Sequence, residues 1–313
     1  MSNHRLMMQD LQNKHDTIHD LLKGRDFHYI DIPMHDNIGD LLIMQGTLAF
    51  FKKKRLSPRT ISTSWAFDPS WVKPGDILVF HGGGNFGDLY ANINEIREEI
   101  IKRFPANRIV MLPQTVFFAS EATRDRSVAV FRRHADVHIF VRDKASQQIA
   151  NRFSDNVYLA PDMAHHLYPI ASSGKASGVL RIERVDTEKP VVPASLKDAQ
   201  FDTRTDWIEV VGKDKRLIDF AWRIQAAFIK RDWQTCKKLI GPWYWIPVAQ
   251  RFSSRAVALF ARHEHIVTDR LHGHILACLM DKHHTVIDNS YGKNSTYIDE
   301  WTAQSDLVRL VKV

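Results

Sequence analysis

Four short segments hold the residues best suited to chemistry. Arg270 and His272 lie in TDRLHGHI (268–275), where an apolar run hands over to a helical pattern. Arg142 ends the run VHIFVRD (137–143), and Lys293 sits in YGKN (291–294). Gly39 and Asp40 close NIGD (37–40), and HGGGNFGD (81–88) carries Gly83, Gly84, Asn85 and Asp88. An arginine fork fits phosphate or carboxylate oxygens two at a time, lysine adds a point charge, and a helix start favours anions. Together they suit a small ligand with several negative charges. The plainer reading pairs Arg270 with its neighbour Asp269 and lets His272 fill a core corner.

The glycine run excludes more than it assigns. Gly82, Gly84 and Gly87 satisfy GxGxxG, but the next apolar run, RIVMLPQ (108–114), ends in Pro113-Gln114. A dinucleotide site needs an acidic residue there for the ribose. HGGG resembles a lipase oxyanion loop, yet no GxSxG nucleophile elbow accompanies it. A P-loop fails because Gly292-Lys293 is followed by Asn294. Two readings remain: backbone lying against a ligand, offering N–H groups to an anion or hydroxyls, or a tight turn needed for packing. Asp40 and Asp88 each follow a glycine at a strand-to-helix turn. They are helix caps, or a pair that meets at one sheet edge to orient or deprotonate a hydroxyl.

The C-terminal histidines show no catalytic metal spacing. His263 would need a partner at 267, which is Val, and His272 and His274, two apart, point to different helix faces. No metal and no cofactor are expected.

These residues must be positioned by an alternating framework. Apolar runs at 27–33, 60–67, 76–80, 108–114, 137–143 and 156–162 are separated by helical patterns at 40–54, 92–104, 121–134 and 144–152. Runs without clean alternation suit strands buried on both faces, hence an α/β protein with parallel sheet and ligands at the strand carboxyl ends. ASSGKASG (171–178) reads as a linker, residues 171–250 are the least legible, and alternation returns at 265–270, 272–280 and 284–290. The expectation is two Rossmann-like domains facing a cleft. Residues 1–170 would supply the acceptor side and Arg142, and 171–313 the donor side, with the last helix packing back on the first domain.

The chain has 313 residues, a formal charge of +7 and a pI near 9.3, which fits anionic partners. Two distant cysteines, Cys236 and Cys278, suit a reducing compartment. The N-terminal stretch lacks a signal-peptide core, so a cytoplasmic protein is expected, with the membrane's inner face a possible station. RDWQTCKKLIGPWYWIPVAQR (231–251) mixes Trp233, Trp243, Tyr244 and Trp245 with bases. Interdomain packing explains such a stretch, and so does peripheral membrane docking.

NIGD, GDILVFHGGGNFGD, LPQT, FVRDKAS, APD, TDRLHGHI and DNSYGKN stand in the order seen in the polysaccharide pyruvyl transferase family, which this chain resembles over 37–162 and 264–301. The resemblance implies a fold similar to GT-B glycosyltransferases, phosphoenolpyruvate as donor substrate and a saccharide, often lipid-linked, as acceptor. It implies a pyruvate ketal formed on two hydroxyls during exopolysaccharide synthesis. Arg270, Leu271 and His272 match the family's donor-binding RLH, and Arg142 matches the arginine of its VRD. Roles for Lys293, Asp40 and Asp88 rest on the residue argument alone. On that argument Arg142 and Arg270 clamp the donor from opposite sides, Lys293 balances the leaving phosphate, and His272 is the general acid. Asp40 or Asp88 would serve the acceptor. The rivals are a GT-B glycosyltransferase using a nucleotide sugar and a non-catalytic polyanion-binding protein. Nucleic acid is not an expected partner, because the special residues gather at strand ends and form no basic stripe.

Overall fold

The computed structural model describes residues 3–172, 174–185, 200–288 and 292–312, and at Lys293 the backbone only. Two parallel β-sheets organise them. The first contains β1 (Phe27–Ile30), β2 (Thr60–Ser62), β3 (Ile77–Phe80), β4 (Gly83–Gly87), β5 (Ile109–Phe117), β6 (Val137–Val141) and β7 (Asn156–Leu159). Its order is β2-β1-β3-β5-β6-β7, with β4 paired to β5. The second contains β8 (Val179–Ile182), β9 (Thr203–Thr205), β10 (His265–Thr268), β11 (His283–Ile287) and β12 (Val308–Val311), in the order β12-β11-β10-β8-β9. The chain is thus α/β with Rossmann-like parallel sheets.

Burial explains the strands. β1, β3 and β6 are buried at every position, as expected for strands covered on both faces. Each sheet also has a point where strand order reverses, between β1 and β3 in the first and between β8 and β10 in the second. Loops diverge at such points and leave a crevice at the carboxyl ends.

The glycine run is itself a strand, which the sequence reading missed. Pro113 has no N–H to give, and β5 shifts register between Met111 and Gln114; beyond that shift its outer half pairs with β4. Gly87 has φ +139°, and a Cβ there would lie 1.6 Å from the Phe117 carbonyl oxygen. A Cβ on Gly82 would sit 2.8 Å from the Pro113 carbonyl oxygen. Close packing on β5 therefore accounts for Gly82 and Gly87.

Other boundaries moved for local reasons. The N-terminal residues form two helices, Asn3–Asn13 and Asp16–Leu22. The stretch read as a linker runs straight into β8, and residues 207–261 are mainly helical. One buried apolar cluster joins Phe27, Tyr29, Leu41 and Val110 of the first half to Leu180, Trp245, Phe260 and Ile275 of the second. Trp245, fully buried, donates its indole N–H to the Pro33 carbonyl, and Trp222 donates to Met34 at 3.1 Å. The helix Lys293–Trp301 lies against the first half: the Trp301 indole donates to the Arg142 carbonyl at 2.7 Å. The β12 strand follows that helix and closes the edge of the second sheet.

The interior holds many neutral histidines. Burial pushes His15 and His284 down to about 4, His81 and His165 to about 3, and His166 to about 2. Each has a lower pKa folded than unfolded, so below about pH 6.5 the unfolded chain takes up more protons and stability is lost as pH falls. The loss should approach about 1.4 kcal/mol per pH unit for each such histidine. Urea midpoints measured from pH 7 to pH 5 should decline steeply; a flat profile would contradict the buried neutral assignment.

Candidate active site

A pocket of about 980 Å³ opens where the carboxyl ends of both sheets converge. From the first half it is lined by Asp31–His35, Asn37, Asp40, His81, Gly84, Asn85, Thr115 and Arg142; from the second, by Arg184, Trp207, Trp222, Arg270, Leu271, His272 and Asn294. Both strand-order reversals therefore face the same space.

At its floor is a buried charge chain. β6 ends at Val141 and delivers Arg142, whose guanidinium donates to Asp162 at 2.5 Å and to the Thr115 hydroxyl at 2.8 Å. Asp162 also accepts from the backbone N–H of Ala164 at 2.9 Å, and His272 Nε2 lies 3.3 Å from its carboxylate. Burial alone would raise the Asp162 pKa, but the His272 hydrogen bond and the charges of His272 and Arg142 hold it far below the usual carboxylate range. The Tyr297 hydroxyl meets the Asp162 backbone N–H at 3.0 Å and His165 Nε2 at 2.9 Å. Residues of both halves thus complete one network.

Gly39 has a specific task. Asn37 caps the helix Ile38–Lys53 by accepting from Gly39 N–H, and a Cβ on Gly39 would lie 2.5 Å from His272 Nδ1. Only glycine lets the imidazole rest on this helix start. His272 in turn occupies the first turn of the helix Leu271–Leu279, so two helix N-termini meet at the pocket.

Arg270 points into the pocket and holds Asp206 through its Nε and Nη2 atoms. The Asp269 pairing considered from sequence is not what forms: Asp269 binds Arg181 at 2.8 Å and the backbone of Arg184. Asp206, which also caps the helix Trp207–Val211, lies in the stretch that sequence reading left unassigned.

The two aspartates separate. Asp40 lines the pocket, accepts from Asn37 Nδ2 at 2.8 Å, and sets Oδ1 beside Gly83, 3.4 Å from where a Cβ would stand. Asp88 does not join it. Its two oxygens take the backbone N–H groups of Ala119 and Ser120, each at 2.8 Å, ahead of the helix Glu121–Phe131, and it is not among the lining residues. The expectation of a carboxylate pair at one edge is corrected: Asp88 is a loop anchor. Asn85 is on the wall with its side-chain oxygen held by Arg97 at 2.8 Å, and Arg97 also pairs with the buried Asp31. Lys293 begins its helix immediately before Asn294, but its side chain, like Asn289–Tyr291 of DNSYGKN, lies outside the described residues.

Sequence reading missed several contributors. Asp162, in APD, was seen as a motif without a role. His81 donates to or accepts from the Tyr29 hydroxyl at 2.6 Å, and its Nε2 has no hydrogen-bond partner among the described residues. At the pocket mouth Trp65, Tyr90, Phe117 and Trp222 are exposed by 49, 59, 47 and 39% respectively. Exposed rings are the signal that could have been read, but their clustering depends on two different loops, the end of β5 and a helix.

The fold and this site define an α/β protein whose strand-end pocket gathers arginines, helix N-termini and a carboxylate-held histidine beneath an aromatic rim. The chain belongs to the polysaccharide pyruvyl transferase family, whose model matches residues 37–291, and the family is one of transferases. It is 35% identical over 300 residues to the putative pyruvyl transferase EpsO of Bacillus subtilis (strain 168), covering 93% of this chain and 89% of that one. Pyruvyl transferase 1 of Schizosaccharomyces pombe is 28% identical over 72% of this chain and 54% of its own. A crystal structure of an uncharacterized Klebsiella pneumoniae protein shares the fold, with a TM-score of 0.59 at 19% identity and full coverage of both chains.

Replacing Asp162 by Asn should strand the buried Arg142 charge and cost about 3–5 kcal/mol in urea unfolding. The depressed Asp162 pKa stabilises the fold above the unfolded carboxylate value near 4, and that contribution is lost as pH falls below it. The variant should therefore also show a shallower loss of stability below about pH 4. Unchanged stability on both counts would remove Asp162 from its central place.

Proposed function

We propose that the protein transfers the pyruvyl group of phosphoenolpyruvate to two hydroxyls of a saccharide, with the two halves arranged about their shared pocket as in GT-B-like enzymes. The observation that carries this reading is His272, held by Asp162 in a pocket that also presents Arg270 and Arg184.

Phosphoenolpyruvate brings a phosphate and a carboxylate. Arg270, Arg184, the two helix starts and Lys293 receive these groups, and the aromatic rim stacks on sugar rings. Arg142, buried and already bound to Asp162, acts as a positioning residue behind His272 and is not a direct clamp. With Nε2 facing Asp162, His272 delivers a proton from Nδ1 to the methylene carbon. Positive charge develops on the central carbon, and one acceptor oxygen bonds there. The carbon–oxygen bond to phosphate breaks with its electron pair, and the second hydroxyl closes the ketal. Of the two hydroxyl protons, one ends in net terms on the new methyl group and the other on inorganic phosphate. Asp40 accepts the first hydroxyl proton.

His272→Ala should lower turnover about 10²-fold or more while phosphoenolpyruvate still binds, as read by steady-state kinetics and calorimetric titration. Near-normal turnover would exclude His272 as the acid. Binding of UDP- or GDP-sugars with no response to phosphoenolpyruvate would replace this reading with glycosyl transfer.

A lipid-linked acceptor is the second element of the proposal. Among the described residues no helix is long and apolar enough to cross a membrane. Yet Phe220, Trp233, Leu239 and Trp243 are exposed by 50, 51, 41 and 78%, among Arg223, Lys230, Arg231 and Lys238. Apolar rings beside cations suit an anionic bilayer surface, and the same helix, Lys215–Lys230, carries Trp222 to the pocket rim. The protein should sediment with vesicles containing anionic lipid, and Trp233→Ala with Trp243→Ala should weaken that. No lipid-dependent pelleting would leave a nucleotide-linked or polymeric acceptor.

A further inference from the structure

His81 is a buried group of the pocket that the transfer chemistry leaves unused. It stands directly after β3 and, although only 2% exposed, is among the residues that line the pocket. Its Nδ1 lies 2.6 Å from the Tyr29 hydroxyl, and its Nε2 has no hydrogen-bond partner among the described residues. A phenol is the better donor and an imidazole nitrogen the better acceptor. Tyr29 therefore gives its hydrogen to Nδ1, and the ring's own hydrogen sits on Nε2. A buried N–H without an acceptor is costly, and native structures rarely keep one without a use.

Asp40 supplies the complementary half. Its Oδ2 accepts from Asn37 Nδ2 at 2.8 Å and has His35 Nε2 at 3.6 Å, whereas Oδ1 accepts no hydrogen bond among the described residues. Oδ1 faces Gly83, where a Cβ would stand 3.4 Å away, and Gly83, with φ +119°, has no side chain to fill that space. His81 precedes Gly83 by two residues, and of the charges acting on its ring that of Asp40 is the strongest. An unpaired N–H and an unpaired carboxylate oxygen thus border one strip of bare backbone.

We infer that His81 Nε2–H and Asp40 Oδ1 form a hydroxyl subsite, in which the attacking OH of the saccharide accepts from the imidazole and donates to the carboxylate. The inference rests on the pyruvyl-transfer reading for what that hydroxyl attacks. Only a group that donates and accepts at once satisfies both partners. An ether lacks the hydrogen, an ammonium lacks the lone pair, and the anionic groups of phosphoenolpyruvate are repelled by Asp40. The subsite therefore leaves the donor's anions to Arg270 and Arg184 and admits the alcohol.

In the reaction the hydroxyl proton passes to Asp40 as the oxygen's electron pair forms the bond to the central carbon. The His81 N–H stabilises the charge that develops on that oxygen. Burial pushes His81 down to about 3, so its ring stays neutral and does not compete with His272 as the acid. The competing arrangement is a packing histidine that braces Tyr29 and meets no ligand.

The test is NMR of the full chain carrying ring-¹⁵N histidine. His81 is assigned from His81→Gln or, should that variant not fold, from Tyr29→Phe. Without ligand the ring should be neutral, with its hydrogen on Nε2, throughout the range in which free histidine titrates. The probes are the methyl glycosides of glucose, galactose and mannose, each beside its fully O-methylated counterpart. At least one glycoside should shift the Nε2–H signal saturably, and its O-methylated form should not. Asp40→Ala should weaken that response about tenfold or more. A hydrogen on Nδ1, no response to any glycoside, or an equal response to the O-methylated forms would establish the packing histidine instead.

Calorimetry with phosphoenolpyruvate separates this subsite from the reading beneath it. His81→Gln should bind phosphoenolpyruvate within about twofold of wild type, and a loss of roughly tenfold or more would assign His81 to the donor and overturn the subsite. If that variant does not fold, the wild-type spectra decide alone. Wild-type protein that answers a glycoside at His81 yet binds no phosphoenolpyruvate would sink pyruvyl transfer and leave the hydroxyl subsite standing.

Discussion

Asp162 is a carboxylate with no access to water, and its charge is tolerable only because Arg142 and His272 answer it. Arg142 comes from the first sheet and His272 from the helix after β10 in the second. The ion chain therefore does two things at once. It binds the halves, and it fixes the ring that the pocket presents. Gly39 completes the constraint, since the imidazole has its place only where that residue has no side chain.

The rest of the pocket follows from this arrangement. Parallel strands put their carboxyl ends on one side, and the two reversals of strand order aim both crevices at the same volume. Positive helix ends and arginines make that volume receptive to anions. Aspartates hold the arginines: Asp206 grips Arg270, and Asp162 grips Arg142. Such pairing pre-orients a guanidinium at the expense of part of its charge, which leaves Arg270 shaped for a planar anionic partner.

How much of this was legible depended on what carried the signal. The strands of the first sheet announce themselves by fully apolar runs, and TDRLHGHI places Arg270 and His272 correctly at a strand end and helix start. The β4 strand was hidden because GGNFG has neither apolar alternation nor β-branched residues; its pairing exists only because Pro113 lets β5 change partner. Asp88 was misread for a related reason: its position after glycine resembles Asp40, but its partners, Ala119 and Ser120, lie some thirty residues away along the chain. Asp206 and Trp222 fell in a stretch whose helices take their burial from the opposite half, a pattern that no local periodicity can reveal. The tryptophans divided accordingly, with Trp245 in the seam between halves and Trp243 in solvent.

The bond from the Trp301 indole to the Arg142 carbonyl ties the pocket to a distant stretch of the chain. The two residues stand 159 positions apart in sequence, yet the last helix braces the backbone of the arginine that orients the pocket histidine. Terminal segments commonly tolerate trimming and drift. Here a chain cut just ahead of that helix would lose both this brace and the Asn294 and Thr296 that line the pocket.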